Sequence, residues 1–129
     1  MNVLTLSVKR KYFDEIVSGT KKTETREIRP NNFGRYCRYI HKGKEYTNID
    51  DIPENNDNID IAPVNYDAIK FLTGEYKGKR PYAVVEVENS EIVLLQDEAG
   101  NDIIYESDGK EYLAAEIEYT LGKITEKST

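Results

Sequence analysis

Gly19-Thr20-Lys21-Lys22-Thr23-Glu24-Thr25-Arg26-Glu27-Ile28 is the stretch on which the reading of this chain turns. Glycine adopts the left-handed conformation that closes a helix, so Gly19 marks the end of the element before it. Beyond the turn the side chains alternate. Glu24, Arg26 and Ile28 share one face of a strand, and Thr23, Thr25 and Glu27 take the other. A lysine, a carboxylate and a guanidinium thus gather just past a tight turn, an arrangement suited to gripping or hydrolysing a small polar ligand.

Upstream, Val3, Leu4, Leu6 and Val8 make a short apolar run that reads as a strand. Residues 9–18 follow as a helix, with Tyr12, Phe13, Ile16 and Val17 on a single apolar stripe. Lys9, Arg10 and Lys11 occupy its first turn, where the macrodipole favours the opposite sign at a cost of a few tenths of a kcal/mol to about 1 kcal/mol. Such a cluster serves an anionic partner or is plain solvated surface.

Downstream, the strand over 24–29 stops at Pro30-Asn31-Asn32, and 36–40 with 44–47 form a hairpin around His41-Lys42-Gly43. The segment 47–63 is rich in Asn and Asp and reads as a polar, exposed loop. Tyr66, Ile69 and Leu72 fall in helical register, which predicts a second short helix over 66–72 ending near Gly74. Strands are expected at 82–87, 91–95, 102–106 and 112–124, with turns at Ala99-Gly100-Asn101 and Ser107-Asp108-Gly109. In the last strand Ile117, Tyr119 and Leu121 share a face. The expected fold class is α+β, mainly β: one domain over 1–129 with two or three short helices and a closed or nearly closed sheet.

With 38% hydrophobic and 33% charged residues, the composition is that of a soluble globular protein, not a disordered one. No apolar run approaches a membrane span, and the opening residues lack the basic start and long apolar centre of a secretory signal. Cys37 is the only cysteine, so no intrachain disulfide forms and no oxidising compartment is implied. A cytoplasmic location is expected. The net charge of −6 conceals an asymmetry, +6 over residues 1–45 and −12 over 46–129. Long duplex DNA is a poor partner for such a chain, because that affinity needs many phosphate contacts. A nucleotide or a short single strand still suits the basic first third, and attraction between a basic and an acidic half within one fold explains the asymmetry equally well.

Residues 12–19 with Lys21, Glu24 and Arg26 make up a short helix followed by Gly-x-Lys-x-x-Glu-x-Arg, and in this the chain resembles the ASCH domain family. The closing run 116–124 is similar to the final strand of many small bacterial and phage-borne members. The resemblance implies a PUA-like mixed β-barrel, RNA binding, and a cleft in which lysine, glutamate and arginine meet. One branch of that family is an amidohydrolase that deacetylates N4-acetylcytidine. Lys21 matches its catalytic lysine, but threonine stands there in place of Glu24, and neither Thr23 nor Thr25 falls on that position. The branch also uses a later glutamate, for which Glu98 and Glu106 are candidates.

Catalytic roles therefore fall to Lys21 and Glu24, and ligand-binding roles to Arg26, Arg29, Lys22 and Lys9. Lysine acts as nucleophile or base only where desolvation or nearby cations disfavour its charged form, whereas a neighbouring carboxylate favours the ammonium and electrostatic binding of an anion. Glu24 suits acceptance from a base or amide edge, or general acid–base work. Arg26 offers a planar fork to a phosphate or carbonyl oxygen. Glu24 and Arg26 are also readable as a same-face surface ion pair of little worth.

No glycine-rich phosphate loop occurs and no cofactor is implied. Cys37 and His41 have metal spacing only on a helix, and two ligands do not make a zinc site. Tyr36, Tyr39 and Tyr46, interleaved with Arg35, Arg38, Lys42 and Lys44, suit base stacking or core packing. The sequence thus supports an RNA-, nucleotide- or modified-nucleoside-binding domain, with a small amidohydrolase and a protein-interaction module of mobile-element origin as its rivals.

Overall fold

Every second residue of the first strand, β1 (Val3–Val8), is buried: Leu4, Leu6 and Val8 point inward while Val3, Thr5 and Ser7 point out. This alternation sets the pattern for a mainly β architecture, 55% strand and 13% helix, in a computed structural model that describes residues 1–53, 58–74 and 80–128. The elements after β1 are α1 (Arg10–Ser18), β2 (Thr23–Ile28), α2 (Phe33–Tyr36), β3 (Cys37–His41), β4 (Lys44–Tyr46), a 3₁₀ turn (Ile49–Asp51), β5 (Asp60–Pro63), β6 (Ala68–Thr73), β7 (Tyr82–Leu94), β8 (Ile104–Ser107), β9 (Lys110–Leu113) and β10 (Ala115–Lys127). The strands fall into a five-stranded sheet of order β1-β6-β7-β10-β2, a three-stranded sheet β4-β3-β5 and the hairpin β8-β9. None of these is closed into a barrel, so the expected closure is not found among the described residues.

The chain divides into two compact units, Met1–Glu24 with Asn65–Ser90 and Tyr119–Thr129, and Thr25–Val64 with Glu91–Glu118. In the first unit β1 runs parallel to β6, Leu4 opposite Ile69 and Leu6 opposite Phe71, and β6 pairs antiparallel with β7. Its core contains Leu6, Ile69, Phe71, Val85 and Tyr119, each at most 1% exposed. Helix α1 packs on β6 and buries Phe13 and Ile16, while Tyr12 from the same stripe stays outside, 43% exposed.

The second unit is built on hairpins. Lys42 and Gly43, both with positive φ, form the two-residue turn between β3 and β4, and β5 pairs along the other edge of β3. Asp108 and Gly109 do the same between β8 and β9, as Asp-Gly does in a type I′ hairpin. Asp97 Oδ1 accepts from the amides of Ala99 and Asn101 and so shapes the turn at Gly100.

Four expectations are corrected. Residues 66–72 do not form a helix: Ala68–Thr73 is the strand β6, and Ile69 and Phe71 are fully buried. A strand covered on both faces is apolar nearly throughout, and over so short a run it imitates helical register. The polar segment 47–63 is not all loop, because it holds the 3₁₀ turn, the buried Ile52 and the strand β5; residues 54–57 of it lie outside the described residues. The strands expected at 82–87 and 91–95 are the single long strand β7. The strand expected over 112–124 is divided, since 110–113 belongs to the hairpin and β10 starts at Ala115.

Candidate functional site

Gly19 closes α1 with φ +80°, and its amide donates to Ile16 O at 3.1 Å. The chain then folds back so that the Lys21 amide reaches Glu15 O at 3.0 Å, while Ser18 and Thr20 share a hydroxyl contact of 3.0 Å. Lys22 O accepts from the Leu121 amide at 2.9 Å, which fastens the turn to β10. The backbone of residues 19–22 is thereby fixed before a side chain of the motif is placed.

Within this frame the structure brings Lys21 and Glu24 together, Nζ to Oε1 at 3.6 Å. Glu24 is only 7% exposed, whereas Lys21 is half-buried and its Nζ also stands 5.7 Å from the centre of the Tyr12 ring. Burying a carboxylate is costly unless its charge is answered. The cation that answers it here keeps one side open to solvent and leans on an aromatic face. Along β2, Glu24, Arg26 and Ile28 occupy the less exposed face in alternation with exposed Thr23, Thr25 and Glu27, as the spacing predicts. Arg26 is half-buried and has interactions of its own.

The remaining candidates are dispersed. Lys22 is exposed, and Lys9 is the exposed residue preceding α1, where its side chain makes no cap. Its neighbour Arg10 is engaged by Asp14 at 3.1 Å. Arg29 pairs with Glu27 through Nη2 and lies over the Tyr105 ring, 4.2 Å from guanidinium carbon to centroid. Glu98 and Glu106 are both exposed, the latter opposite Glu111 in the β8-β9 hairpin.

Arg29 also opens on a feature that the sequence reading missed. In the second unit Phe33, Tyr39, Tyr105, Tyr112 and Arg29 line a cavity of about 860 Å³ together with Ile28, Ile61, Ile92 and Leu94. The aromatic residues stand as two stacked pairs, Phe33 with Tyr39 at 4.6 Å and Tyr105 with Tyr112 at 5.6 Å between centroids. Tyr105 and Tyr112 are direct cross-strand partners, equidistant from the Asp108-Gly109 turn. Counting outward from that turn would have paired them from sequence alone.

Of the interleaved aromatic and basic residues, Tyr36 is core and Tyr39 faces the cavity. Tyr46 joins Arg38 beside a smaller cavity of about 320 Å³. Arg38 donates to Gly34 O and, at 2.8 Å, to Cys37 O, while Arg35 and Lys44 lie near the rings of Tyr36 and Tyr46. Cys37 and His41 are both buried on one face of β3, and burial pushes the Cys37 thiol up to about 11. No group of three or more His, Cys, Asp or Glu side chains with metal-binding geometry occurs among the described residues, and no helix there is long and apolar enough to cross a membrane. Comparison of the chain with protein-family models, with curated proteins and with solved structures finds no match.

Proposed function

We propose that this protein binds RNA, a nucleotide or a modified nucleoside through the turn and strand over residues 19–29, as a cytoplasmic domain of ASCH type. The observation that carries the reading is the buried Glu24 carboxylate set against the half-exposed Lys21 ammonium on a rigid turn. A fixed, partly desolvated cation holds an anion better than a mobile surface lysine, because its orientation is settled before the ligand arrives. Arg26 on the same strand face adds a planar donor fork. The PUA-like assignment belongs to the same proposal, and the mixed pairing of the large sheet, β1 parallel to β6 and β6 antiparallel to β7, supports it.

The test is titration of a short single-stranded RNA at several salt concentrations. Affinity falls with salt on a shallow slope, about 0.7 per phosphate contacted, because few cations are involved. Lys21→Ala weakens binding about tenfold, and Glu24→Gln does so to a similar degree by releasing the ammonium from its anchor. Unchanged affinity in both variants refutes the reading.

A second reading rests on the same contact, since an ammonium 3.6 Å from a carboxylate places a donor for a carbonyl oxygen beside Glu24 as a general base. In that case the protein is an amidohydrolase acting on N4-acetylcytidine-like substrates, and purified protein releases acetate from N4-acetylcytidine with Lys21 required.

A further inference from the structure

We infer that the aromatic cavity of the second unit is a binding site for one nucleobase carrying a single phosphate, separate from the Lys21–Glu24 pair. Four observations converge on that ligand class. The volume, about 860 Å³, is that of a small-molecule site and accommodates a single nucleotide. The walls carry two stacked aromatic pairs, Phe33 with Tyr39 and Tyr105 with Tyr112, and the outer face of such a pair suits a flat ring of any base. Arg29 lies over Tyr105 at 4.2 Å with Glu27 holding its Nη2, so the guanidinium covers that ring and itself presents a planar, donor-bearing surface at the cavity wall. Among the described residues the charged lining is Arg29 and Glu111.

The charge balance sets the ligand's limits. Arg29 is the one cation among the described lining residues and already shares its Nη2 with Glu27, so the site supplies one guanidinium for one phosphate group and nothing to answer the several charges of a triphosphate. The aliphatic remainder of the lining, Ile28, Ile61, Ile92 and Leu94 among it, matches an unsaturated ring and not a bare sugar phosphate. Every lining residue among the described residues belongs to the second unit. The inference deepens the nucleotide-binding reading and assigns it a pocket. It does not require that Lys21 or Glu24 touch the same molecule.

The ligand chemistry has two possible sources, a free nucleoside monophosphate or one unstacked base of a single strand. Isothermal titration of the whole protein with AMP, adenosine, ribose 5-phosphate and ATP, and separately with a tetranucleotide, distinguishes them. AMP is expected to bind more tightly than ATP, and ribose 5-phosphate not measurably. A tetranucleotide that binds no more tightly than AMP identifies the free nucleotide; one that binds at least tenfold more tightly identifies the strand.

Tyr105→Ala is expected to weaken AMP about tenfold or more, because it removes the ring on which the Arg29 guanidinium is seated and one half of the Tyr105–Tyr112 pair. Tyr105→Phe keeps the face and binds as the parent does. Because the Arg29 side chain is 45% exposed and glutamine keeps most of its stem, Arg29→Gln is expected to leave the fold intact; it weakens AMP while leaving adenosine unchanged. Ribose 5-phosphate binding as tightly as AMP overturns the inference, as does AMP affinity indifferent to both Tyr105→Ala and Arg29→Gln. The AMP and RNA titrations fail independently, one through Tyr105 and the other through Lys21.

Discussion

A carboxylate removed from water must be answered by a cation or by donors, and Glu24 shows what that requirement does to a motif. The spacing Glu24-x-Arg26 alone is compatible with a loose surface pair. At 7% exposure Glu24 is instead a buried group, and Lys21, not a distant residue, stands beside it. Cys37 shows burial acting on a different side chain. Its thiol, 1% exposed, is pushed up to about 11, mainly by desolvation, with Arg38 opposing. Because this value lies above that of the unfolded chain, 9.0, the unfolded state loses its proton first as the solution becomes alkaline. The thiol therefore contributes fully below about pH 9, and stability falls between 9 and about 11. Urea melts at pH 8, 9 and 10 should show this loss in the parent protein and a smaller one in Cys37→Ala. Tyr39, also raised by burial, adds a loss of the same sign above pH 10 in both proteins. At neutral pH the same protonated, covered thiol should react with iodoacetamide only after denaturation.

Elements depend on single residues where the backbone leaves the ordinary regions. Gly19 has φ +80°, and a Cβ built there meets nothing within 4 Å, so the need for glycine is conformational and not steric crowding by neighbours. Gly19→Ala should cost about 1 kcal/mol, read as a lower denaturant midpoint at unchanged slope. Gly19→Asn should recover much of this, since asparagine tolerates the left-handed region. Equal losses in the two variants would point to a cause other than φ. The same principle made the Lys42-Gly43 and Asp108-Gly109 hairpins readable in advance. Strand β6 was not readable in this way. Its residues Ala68, Ile69 and Phe71 are all buried, so the alternation that identifies a strand facing water on one side is erased.

At the scale of the whole molecule, stability rests on side chains from strands far apart in sequence. Phe71 is fully buried on β6, directly paired with Leu6 of β1 on one side and Ala83 of β7 on the other. Phe71→Ala should cost about 3–5 kcal/mol, a large share of the 5–15 kcal/mol that holds a typical domain, and thermal melting should show the loss. Exposed Lys22→Ala, as a control, should remain within about 0.5 kcal/mol of the parent. What the sequence determined by itself is local: the helix ended by Gly19, the alternating face of Glu24, Arg26 and Ile28, the two-residue turns, and the inward set Ile117, Tyr119 and Leu121. Such features follow from φ preferences and from a side-chain period of two, which act over a few residues. Only tertiary structure decided which strands are neighbours, that the large sheet is open in the order β1-β6-β7-β10-β2, and that Arg29 meets Tyr105 beside the cavity. Partner choice is long-range, because it depends on which buried faces fit one another, and a period of two records that a face is buried without recording what covers it.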